Sequence, residues 1–514
     1  MTGTDETKQT RREFLKKTGT AALGMTLGAR IPGMASVERD SNESAPRKPN
    51  VIVVFADQLR SQALGCYGNR QVPTPNFDKL AAGGARFTNA ISTYPLCSPF
   101  RAMLMTGRYP MSNGVVYNNY PIWDGQPTIA RALKAQGYET GYIGKWHLAG
   151  KGNYPVPPER RQGFDYWVPR KPLFIKASDD PDAPTLWEPD VQTDLAIRYV
   201  QEHRDKPFCL FMSWYPPHDP YIAPEPYMQR FPKSEIEFRP NVAESEIVRE
   251  QLAKHNTGLT LKAAEKRTSW RKRVDTDDGI RKMISGYYAA TAGLDDCMGR
   301  LTKALEKAGI AEDTILVFTS DHGDMLGSHR MGSKQEPFEE AISIPFLLRY
   351  PRRVPAGITT DALLSPMDIM PTLLGLVGVP CPDAVEGLNL AEAATGKRSD
   401  QQDALLIMKM LPGGNPWIVN AATEWRGVRT KTHTYARLQD GGPWILFDNE
   451  NDPYQMKNLI DDPAHKNLRD DMEARLKLLL QKARDPFDTE AIKEYIGQKG
   501  KDEPRGSSRA AGDD

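Results

Sequence analysis

The sequence lacks a strong excess of charge, a paired-cysteine motif and, beyond its first residues, any long apolar run. Its 67 Lys and Arg balance 66 Asp and Glu, so the formal net charge of +1 argues against broad attraction to nucleic acid or an anionic membrane. No later apolar stretch reaches about 18 residues, so no membrane-spanning helix is expected. The chain has 514 residues, of which 39% are hydrophobic, and this is enough for a large core.

The five cysteines are irregularly spaced: Cys66, Cys97, Cys209, Cys297 and Cys381. The absence of a CxxC pair excludes a zinc ribbon and a thioredoxin-like motif. Cys209 and Cys297 lie in apolar or helical runs and are predicted to pack in the core. A disulfide among the other three is left open. Cys97 precedes a proline that suits the first turn of a helix, where anions bind.

Residues 1–35 resemble a twin-arginine export signal. Arg11 and Arg12 precede a mild apolar run, and Gly33 and Ala35 form a small-x-small cleavage site. We therefore expect a periplasmic or secreted protein that leaves the cytoplasm by the twin-arginine route. This route carries folded proteins, so a metal or a modification acquired in the cytoplasm would travel with the chain.

Apolar runs alternate with helical segments along the body of the chain. Five runs are predicted to contain strands: Asn50–Asp57, Glu139–Leu148, Phe208–Tyr221, Asp313–Asp324 and Ser343–Pro351. The near-continuous β-branched run at 50–57 is typical of a strand buried on both faces. Helical patterns between the runs predict βαβ units, and hence an α/β fold with a mainly parallel central sheet flanked by helices.

Polar side chains follow four of these strands. They are Asp57 and Gln58, then Lys145 and His147, then His218, and finally Asp321, His322 and Asp324. Ligands of open α/β sheets bind beyond the carboxyl ends of the strands, so these side chains are expected to share one site. Carboxylate oxygens suit Ca²⁺, Mg²⁺ or Mn²⁺, whereas lysines (with Lys334) and histidines bind anions and move protons. This set favours hydrolysis of a sulfate or phosphate ester.

The stretch CSPFRAMLMTGRYP, beginning at Cys97, resembles the signature of the type I sulfatases, Cys-x-Pro-x-Arg followed by Thr-Gly-Arg. NVIVVFADQ precedes it, and GKWHL, PPHDPY, SDHGDMLGSH and SKQEPFEEAISIPFLLRYP follow in the family's order. WRGVRTKTHTYAR and PWILFDNENDPYQMKNL are similar to the family's C-terminal subdomain. The resemblance covers most of the chain and implies an alkaline phosphatase-like fold with a smaller C-terminal α+β subdomain.

The resemblance also implies a nucleophile. Cys97 would be oxidised to 3-oxoalanine (formylglycine) by a separate maturation enzyme, and its hydrated aldehyde would attack sulfur. One hydroxyl would then carry the sulfate, and loss of a proton from the other would expel it, which an ordinary serine ester cannot do.

The family's roles carry over residue by residue. Arg101 and Lys145 would orient the hydrated aldehyde, His147 would act as base, and the departing alcohol would take a proton from His218 or Lys334. The predicted metal ligands are Asp57, Gln58, Cys97, Asp321 and His322. The expected ion is Ca²⁺, with Mn²⁺ or Mg²⁺ as alternatives.

Two departures from the family pattern keep other functions open. Gln58 stands where the family often has a second aspartate, as in relatives that act on choline sulfate and phosphonate monoesters, so a phosphodiesterase or phosphonate monoester hydrolase is the alternative. Phe100 replaces the usual serine or alanine, and a failure of maturation would leave a non-catalytic glycan-binding relative. The expected substrate is a sulfated small molecule or carbohydrate. Predicted contacts with it are Tyr117, Asn118, Asn119, Trp123, Trp214 and His329.

The expected domain layout follows. Residues 36–400 would form the catalytic domain, and residues 401–495 an antiparallel-sheet and helix subdomain closing one side of the pocket. Residues 496–514 carry almost no apolar side chains and are predicted to be a disordered tail. The charged stretch at 222–280 is interpreted as a solvated face or as an insertion flanking the substrate.

Overall fold

The computed structural model describes residues 47–177, 183–244, 271–398, 400–412, 424–439 and 441–502. The predicted export signal lies outside the described residues, as do residues 245–270 of the charged stretch at 222–280. No helix in the described ranges is long and apolar enough to cross a membrane.

The strands fall into one large sheet, one smaller sheet and a two-stranded ribbon. In chain order they are β1 (Asn50–Asp57), β2 (Ala85–Ala90), β3 (Glu139–Gly144), β4 (Tyr166–Pro169), β5 (Phe174–Lys176), β6 (Thr185–Trp187), β7 (Phe208–Pro217), β8 (Thr314–Ser320), β9 (Phe346–Arg349), β10 (Ile358–Leu364), β11 (Leu405–Lys409), β12 (Trp425–Arg429), β13 (His433–Leu438) and β14 (Gly442–Asp448).

The helices pack against these sheets. They are α1 (Pro75–Ala82), α2 (Cys97–Thr106), α3 (Pro110–Asn113), α4 (Ile129–Lys134), α5 (Glu188–His203), α6 (Glu225–Met228), α7 (Pro240–Ala243), α8 (Asp277–Lys307), α9 (Glu339–Ile342), α10 (Pro366–Val377), α11 (Ala391–Ala394), α12 (Lys466–Ala483) and α13 (Thr489–Asp502).

The large sheet has eight strands in the order β10-β2-β9-β8-β1-β7-β3-β4. Strand β9 runs antiparallel to β2 and β8, and the other neighbours in this sheet pair in parallel. The predicted α/β fold with a mainly parallel sheet is therefore confirmed. Strand β9 departs from the βαβ pattern because the chain between β8 and β9 forms site loops and the short helix α9.

Strand β1 shows why the sheet is buried on both faces. Ile52, Val54 and Ala56 join the hydrophobic cluster that includes side chains of α5 and α8. Val51, Val53 and Phe55 join the opposite cluster, with side chains of α2, α4 and α10. Successive side chains of a strand point to opposite faces, so a continuous apolar run is needed where both faces are covered.

A smaller antiparallel sheet, β11-β12-β13-β14, forms the C-terminal part, as predicted. Leu406 and Met408 of this sheet share a hydrophobic cluster with Met103, which belongs to α2, and with Leu96, which precedes it. The indole nitrogen of Trp425 donates to the backbone oxygen of Gln335 at 2.9 Å. The smaller sheet therefore supports both the helix that begins at Cys97 and the loop that carries Lys334.

Two strand ends lie where the sequence predicts a break. Strand β7 ends at the second of its two prolines, Pro217. Strand β3 ends at Gly144, where the backbone turns to a φ of 105° that favours glycine. The predicted tail differs from the structure. Residues 496–502 are helical, as part of α13, although the sequence predicted a tail from 496.

The cysteines behave as their surroundings predict. All five are free thiols, so the disulfide that the sequence left open is not formed in this structure. Cys209 and Cys297 are buried in the core, which confirms their predicted packing role.

Candidate active site

The predicted site residues meet at one edge of the large sheet. Strands β8, β1, β7 and β3 are neighbours, and their carboxyl ends deliver Asp321, Asp57, His218 and Lys145 to one place. Helix α2 brings Cys97 to the same edge from its first residue. The pattern of strand-end polar residues therefore predicted a real cluster.

Cys97 lies next to His322 and Asp57, and hydrogen bonds of the following residue, Ser98, fix its position. It is 2% exposed, and its Sγ lies 3.3 Å from His322 Nε2 and 3.7 Å from Asp57 Oδ1. The backbone N–H of Ser98 donates to the side-chain oxygen of Asn118 at 3.0 Å, and the Ser98 hydroxyl donates to the backbone oxygen of His147 at 2.7 Å. These bonds fix the first turn of α2 against the loop after β3.

Arg101 lies one helical turn after Cys97 and joins the two aspartates. Its Nη2 donates to Asp57 Oδ2 at 3.1 Å and to Asp321 Oδ2 at 2.9 Å. Its Nη1 donates to the Ser213 hydroxyl at 2.7 Å and to the backbone oxygen of Lys145 at 2.6 Å. Residues at i and i+4 share a helix face, so the spacing of Cys97 and Arg101 places both side chains toward this centre.

The same geometry leaves a space suited to a cation. Since Arg101 binds both Oδ2 atoms, the Oδ1 atoms of Asp57 and Asp321 remain beside His322, at 3.8 and 3.5 Å from its Nε2. Ligand atoms of these three residues and of Cys97 lie within 4.8 Å of one another, and all four residues are buried. Two carboxylates in such close burial repel each other unless positive charge lies between them.

The tautomer of His322 also fits a metal ligand. Its Nδ1 lies 2.9 Å from the backbone oxygen of Gly323. A carbonyl oxygen can only accept, so Nδ1 carries a proton, and in the neutral imidazole the Nε2 lone pair would face the centre. Carboxylate oxygens with one imidazole suit a hard divalent ion, so the residues present fit the metal that the sequence predicted.

Burial and neighbouring charges set the pKa values of the centre. Burial would raise the pKa of Asp57, but Lys145, His218 and Arg101 outweigh it and hold the pKa well below its usual range. Burial, and then repulsion by Asp57, raise the pKa of Asp321. Two adjacent carboxylates with opposite shifts are typical of a shared charged site.

Two histidines flank the centre. His147 has a φ of 61°, and its Nε2 pairs with the side-chain oxygen of Asn119 at 3.1 Å. Burial lowers its pKa, although a hydrogen bond with Cys97 opposes the shift. His218 Nδ1 lies 2.9 Å from a carboxylate oxygen of Asp219, and its Nε2 lies 2.9 Å from Lys334 Nζ. A neutral imidazole and an ammonium–imidazole pair are suited to proton transfer.

The side chain of Gln58 forms hydrogen bonds with Asp324 and Lys334. Its amide nitrogen donates to Asp324 Oδ2 at 2.6 Å, and its side-chain oxygen accepts from Lys334 Nζ. Asp324 also accepts from the Tyr221 hydroxyl at 2.9 Å. The sequence placed Asp324 at the site without a role; here it holds Gln58. Its position two residues after His322 was the available signal.

A cavity of about 580 Å³ opens above the centre. Its lining includes Lys145, His147 and His218, together with Asn119, as predicted, and Tyr215 and Arg170, which the sequence analysis missed. This volume is in the usual range for ligand pockets.

Two predictions about side chains near the site are corrected. Trp214 is fully buried in the core and does not line the cavity, because the next residue of the strand, Tyr215, takes the opposite face. His329 is also fully buried, with its ring 4.8 Å from that of Phe338, so it is not placed to contact substrate. Phe100 is buried in the core cluster that contains Phe55.

The remaining four predicted substrate contacts fall into two groups. Tyr117 and Trp123 pack against the cluster shared with the smaller sheet, and the Trp123 ring lies 6.1 Å from that of Tyr495. Asn118 acts through Ser98, as described above, and Asn119 through His147. These two asparagines are therefore the ones that reach the centre.

Comparisons with known proteins agree with this geometry. The family model described as Sulfatase matches residues 49–379, and the model described as N-sulphoglucosamine sulphohydrolase, C-terminal, matches residues 327–482. The chain is 33% identical over 487 residues to an ulvan-active sulfatase of Formosa agariphila, covering 91% of this chain and 88% of that protein.

Two further relatives extend the comparison. An endo-4-O-sulfatase of Bacteroides thetaiotaomicron is 30% identical, over 86% of this chain and 94% of its own. The crystal structure of the phosphonate monoester hydrolase of Agrobacterium radiobacter superimposes with a TM-score of 0.69 at 26% identity, covering 85% of this chain and 96% of that one.

Proposed function

Since this chain belongs to the sulfatase family, within the alkaline phosphatase superfamily, we propose that it hydrolyses sulfate esters of carbohydrates with a formylglycine at position 97 and a divalent metal ion. That it is a sulfuric ester hydrolase follows from the family. The finer proposal depends on one observation: Cys97 Sγ lies buried within 3.7 Å of both His322 and Asp57, on the helix that also supplies Arg101.

The metal would be held by Asp57, Asp321, His322 and the modified Cys97, with Gln58 beside them. Hard oxygen donors favour Ca²⁺, with Mn²⁺ or Mg²⁺ as alternatives. The ion would supply positive charge to the sulfate oxygens, and the hydrated aldehyde would supply the attacking hydroxyl and a second hydroxyl for release. A formylglycine-generating enzyme is the partner that this proposal requires.

Arg101 and Lys145 would hold negative charge at the centre. Lys145 Nζ contacts Asp57 Oδ2 and is 14% exposed on its side chain. Burial would lower the pKa of Lys145, but the carboxylate of Asp57 raises it above its usual value, so the amine stays protonated. A fixed, buried ammonium stabilises charge that develops on sulfate oxygens without reorganising.

His147, His218 and Lys334 would move the protons. His147 is neutral near pH 7 because burial lowers its pKa, so it is suited to accept a proton from the group at position 97. Lys334 lies 2.9 Å from His218 Nε2, so either can donate to the departing alcohol. The two functions are thus assigned to different residues.

The carbohydrate part of the proposal draws on the relatives and on the cavity. The relatives include proteins named for ulvan and for N-acetylglucosamine-6-O-sulfate. The cavity of about 580 Å³ has room for a sugar beside the centre and is lined by Trp167 and Tyr215 as well as by polar groups. Export by the twin-arginine route, proposed from Arg11 and Arg12, would bring the enzyme to polymers outside the cytoplasm.

The domain boundaries at 36, 400 and 495 remain proposals of the same kind. The smaller sheet would support the catalytic unit through its contacts with Leu96 and Gln335.

The test is an activity screen on sulfated mono- and polysaccharides, with protein co-produced with the maturation enzyme. We expect sulfate release from at least one sulfated carbohydrate and none from Cys97→Ala. Release at equal rates by both proteins would overturn the proposed nucleophile.

One observation favours a second candidate, a phosphonate monoesterase or phosphodiesterase. Gln58 leaves the centre with two carboxylates, Asp57 and Asp321, and a phosphonate monoester hydrolase is among the structural relatives. Paired assays on an aryl sulfate and an aryl phosphodiester separate the two functions. A higher kcat/KM on the diester would reverse our ranking.

A further inference from the structure

The charged side chains that line the cavity are all basic. Among its described lining residues are Lys145, Lys151, Arg170 and two histidines, but neither Asp nor Glu. Lys145 and the histidines lie around Cys97, as shown above. Arg170 lies farther out, since its side chain is 36% exposed and that of Lys145 is 14% exposed.

Tyr215 connects these two cations. The guanidinium carbon of Arg170 lies 3.7 Å from the centroid of the Tyr215 ring, and Lys145 Nζ lies 5.5 Å from the same centroid. The Tyr215 hydroxyl donates to the backbone oxygen of Asp219 at 3.0 Å, which fixes the ring. A guanidinium stacked on a ring uses its face for that contact and leaves its in-plane N–H groups for an oxyanion.

Glu188 neutralises Arg170 incompletely. Glu188 Oε2 lies 3.8 Å from Arg170 Nε, beyond hydrogen-bond distance, and neither atom has a hydrogen-bond partner within the described part of the chain. The other oxygen, Oε1, accepts from the backbone N–H of Lys171 and, at 3.0 Å, from Gln192. Burial raises the pKa of Glu188 to about 7, so near neutral pH a large fraction of this carboxyl is uncharged.

We propose that Arg170, stacked on Tyr215, binds a second oxyanion of the substrate, either a carboxylate or another sulfate group, while the scissile sulfate lies beside Cys97. This inference rests on the proposed sulfatase function and narrows its substrate to carbohydrates that carry at least two negative groups. The two negative groups would lie close together, because both cations lie within 5.5 Å of the centroid of one aromatic ring.

The experiment measures kcat and KM on three sugars that share one scissile sulfate: a monosulfated sugar with no other charged group, the corresponding sulfated uronic acid and the corresponding disulfated sugar. We compare the wild type with Arg170→Gln, Arg170→Lys and the control Arg161→Gln. Arg161 is also an arginine near an aromatic ring, 5.4 Å from the centroid of Trp167, but it does not line the cavity.

We expect the wild type to prefer one doubly charged sugar over the singly charged one by about tenfold or more, mainly through KM, since only the doubly charged sugar can form the second charge-assisted hydrogen bond. Arg170→Gln should remove that preference, Arg170→Lys should keep part of it, and Arg161→Gln should keep all of it. The favoured sugar identifies the second group as a carboxylate or a sulfate.

Equal rates on all three sugars, or a preference that survives in Arg170→Gln, would overturn the second oxyanion site and leave the sulfatase function standing. A wild type that releases sulfate from none of the three would overturn both.

Discussion

The centre around Cys97 and the mouth of its cavity are built in different ways. In the centre, Arg101 is fully buried and binds both Asp57 and Asp321, so each of these buried charges is stabilised by a charge of opposite sign. At the mouth, Arg170 is partly exposed and rests on an aromatic ring. Removing one partner in the centre leaves a buried unpaired charge. A change of Arg170 at the mouth should cost less, because burial raises the pKa of the facing Glu188 to about 7. Chemistry and selectivity are therefore assigned to residues under different constraints.

The largest effect should come from Cys97→Ala, which removes the proposed nucleophile from the centre. We expect kcat to fall by about 10⁴-fold or more, because a nucleophile and its base act as one unit. The measurement is sulfate release by protein co-produced with the maturation enzyme. Arg161→Gln, outside the cavity lining, should stay within about twofold of the wild type; a similar rate for Cys97→Ala would contradict the account.

Arg101→Met tests the mutual dependence of charges in the centre. It leaves Asp57 and Asp321 buried beside each other without their shared guanidinium, so we expect the free energy of unfolding to fall by about 3–5 kcal/mol in metal-free buffer. Denaturant titration measures this change, and Arg161→Gln, which changes a half-buried arginine outside the centre, is the control, expected within about 1 kcal/mol of the wild type. A loss below about 1 kcal/mol would show that Lys145 suffices to hold both carboxylates.

The sequence was informative where a side chain's role follows from its place in an element. The continuous apolar run of β1 predicted a central strand, and Asp57, Lys145 and Asp321 were found because parallel strands end at one edge. The period of two also explains one error: Trp214 and Tyr215 are adjacent, yet one faces the core and the other the cavity.

The mouth of the cavity was not predictable in this way. Arg170 follows β4, whereas Tyr215 belongs to β7, and no spacing in the sequence relates them. Their contact depends on the packing of β3 between these strands. Asp324 illustrates the same limit within the centre, since its partner Gln58 lies far away in the sequence.

Removal of divalent ions should destabilise the centre around Cys97 and leave the mouth of the cavity unchanged. Dialysis against a chelator is expected to abolish sulfate release and to lower the stability by about 2.7 kcal/mol relative to protein held at a hundredfold excess of ion over its Kd. Thermal unfolding with and without Ca²⁺, Mn²⁺ or Mg²⁺ measures this and ranks the ions. In Asp321→Asn the shift produced by added ion should shrink; an undiminished shift would place the ion elsewhere.

The last prediction concerns the pH dependence of stability and the buried side chain of His329, which lies outside the centre. Neither ring nitrogen has a hydrogen-bond partner among the described residues, and burial lowers the pKa to about 4. The unfolded chain, with a pKa near 6.5, therefore binds a proton that the folded chain rejects. This contribution to stability is complete above pH 6.5 and is lost as the pH falls toward 4.

The comparison is with His329→Asn, which accepts the φ of 53° and does not titrate. Between pH 7.5 and 4.5, the wild type should lose about 2–3 kcal/mol more stability than the variant, as measured by urea unfolding. Parallel losses in the two proteins would mean that His329 is already paired or solvated.

The most direct measurement is the mass of the tryptic peptide containing residue 97, followed against sulfatase activity while the maturation enzyme is supplied in graded amounts. The account predicts a product about eighteen daltons lighter than the thiol peptide, as the stoichiometry of aldehyde formation requires, with activity rising in proportion to the converted fraction. Full activity in protein whose residue 97 is entirely thiol would contradict it.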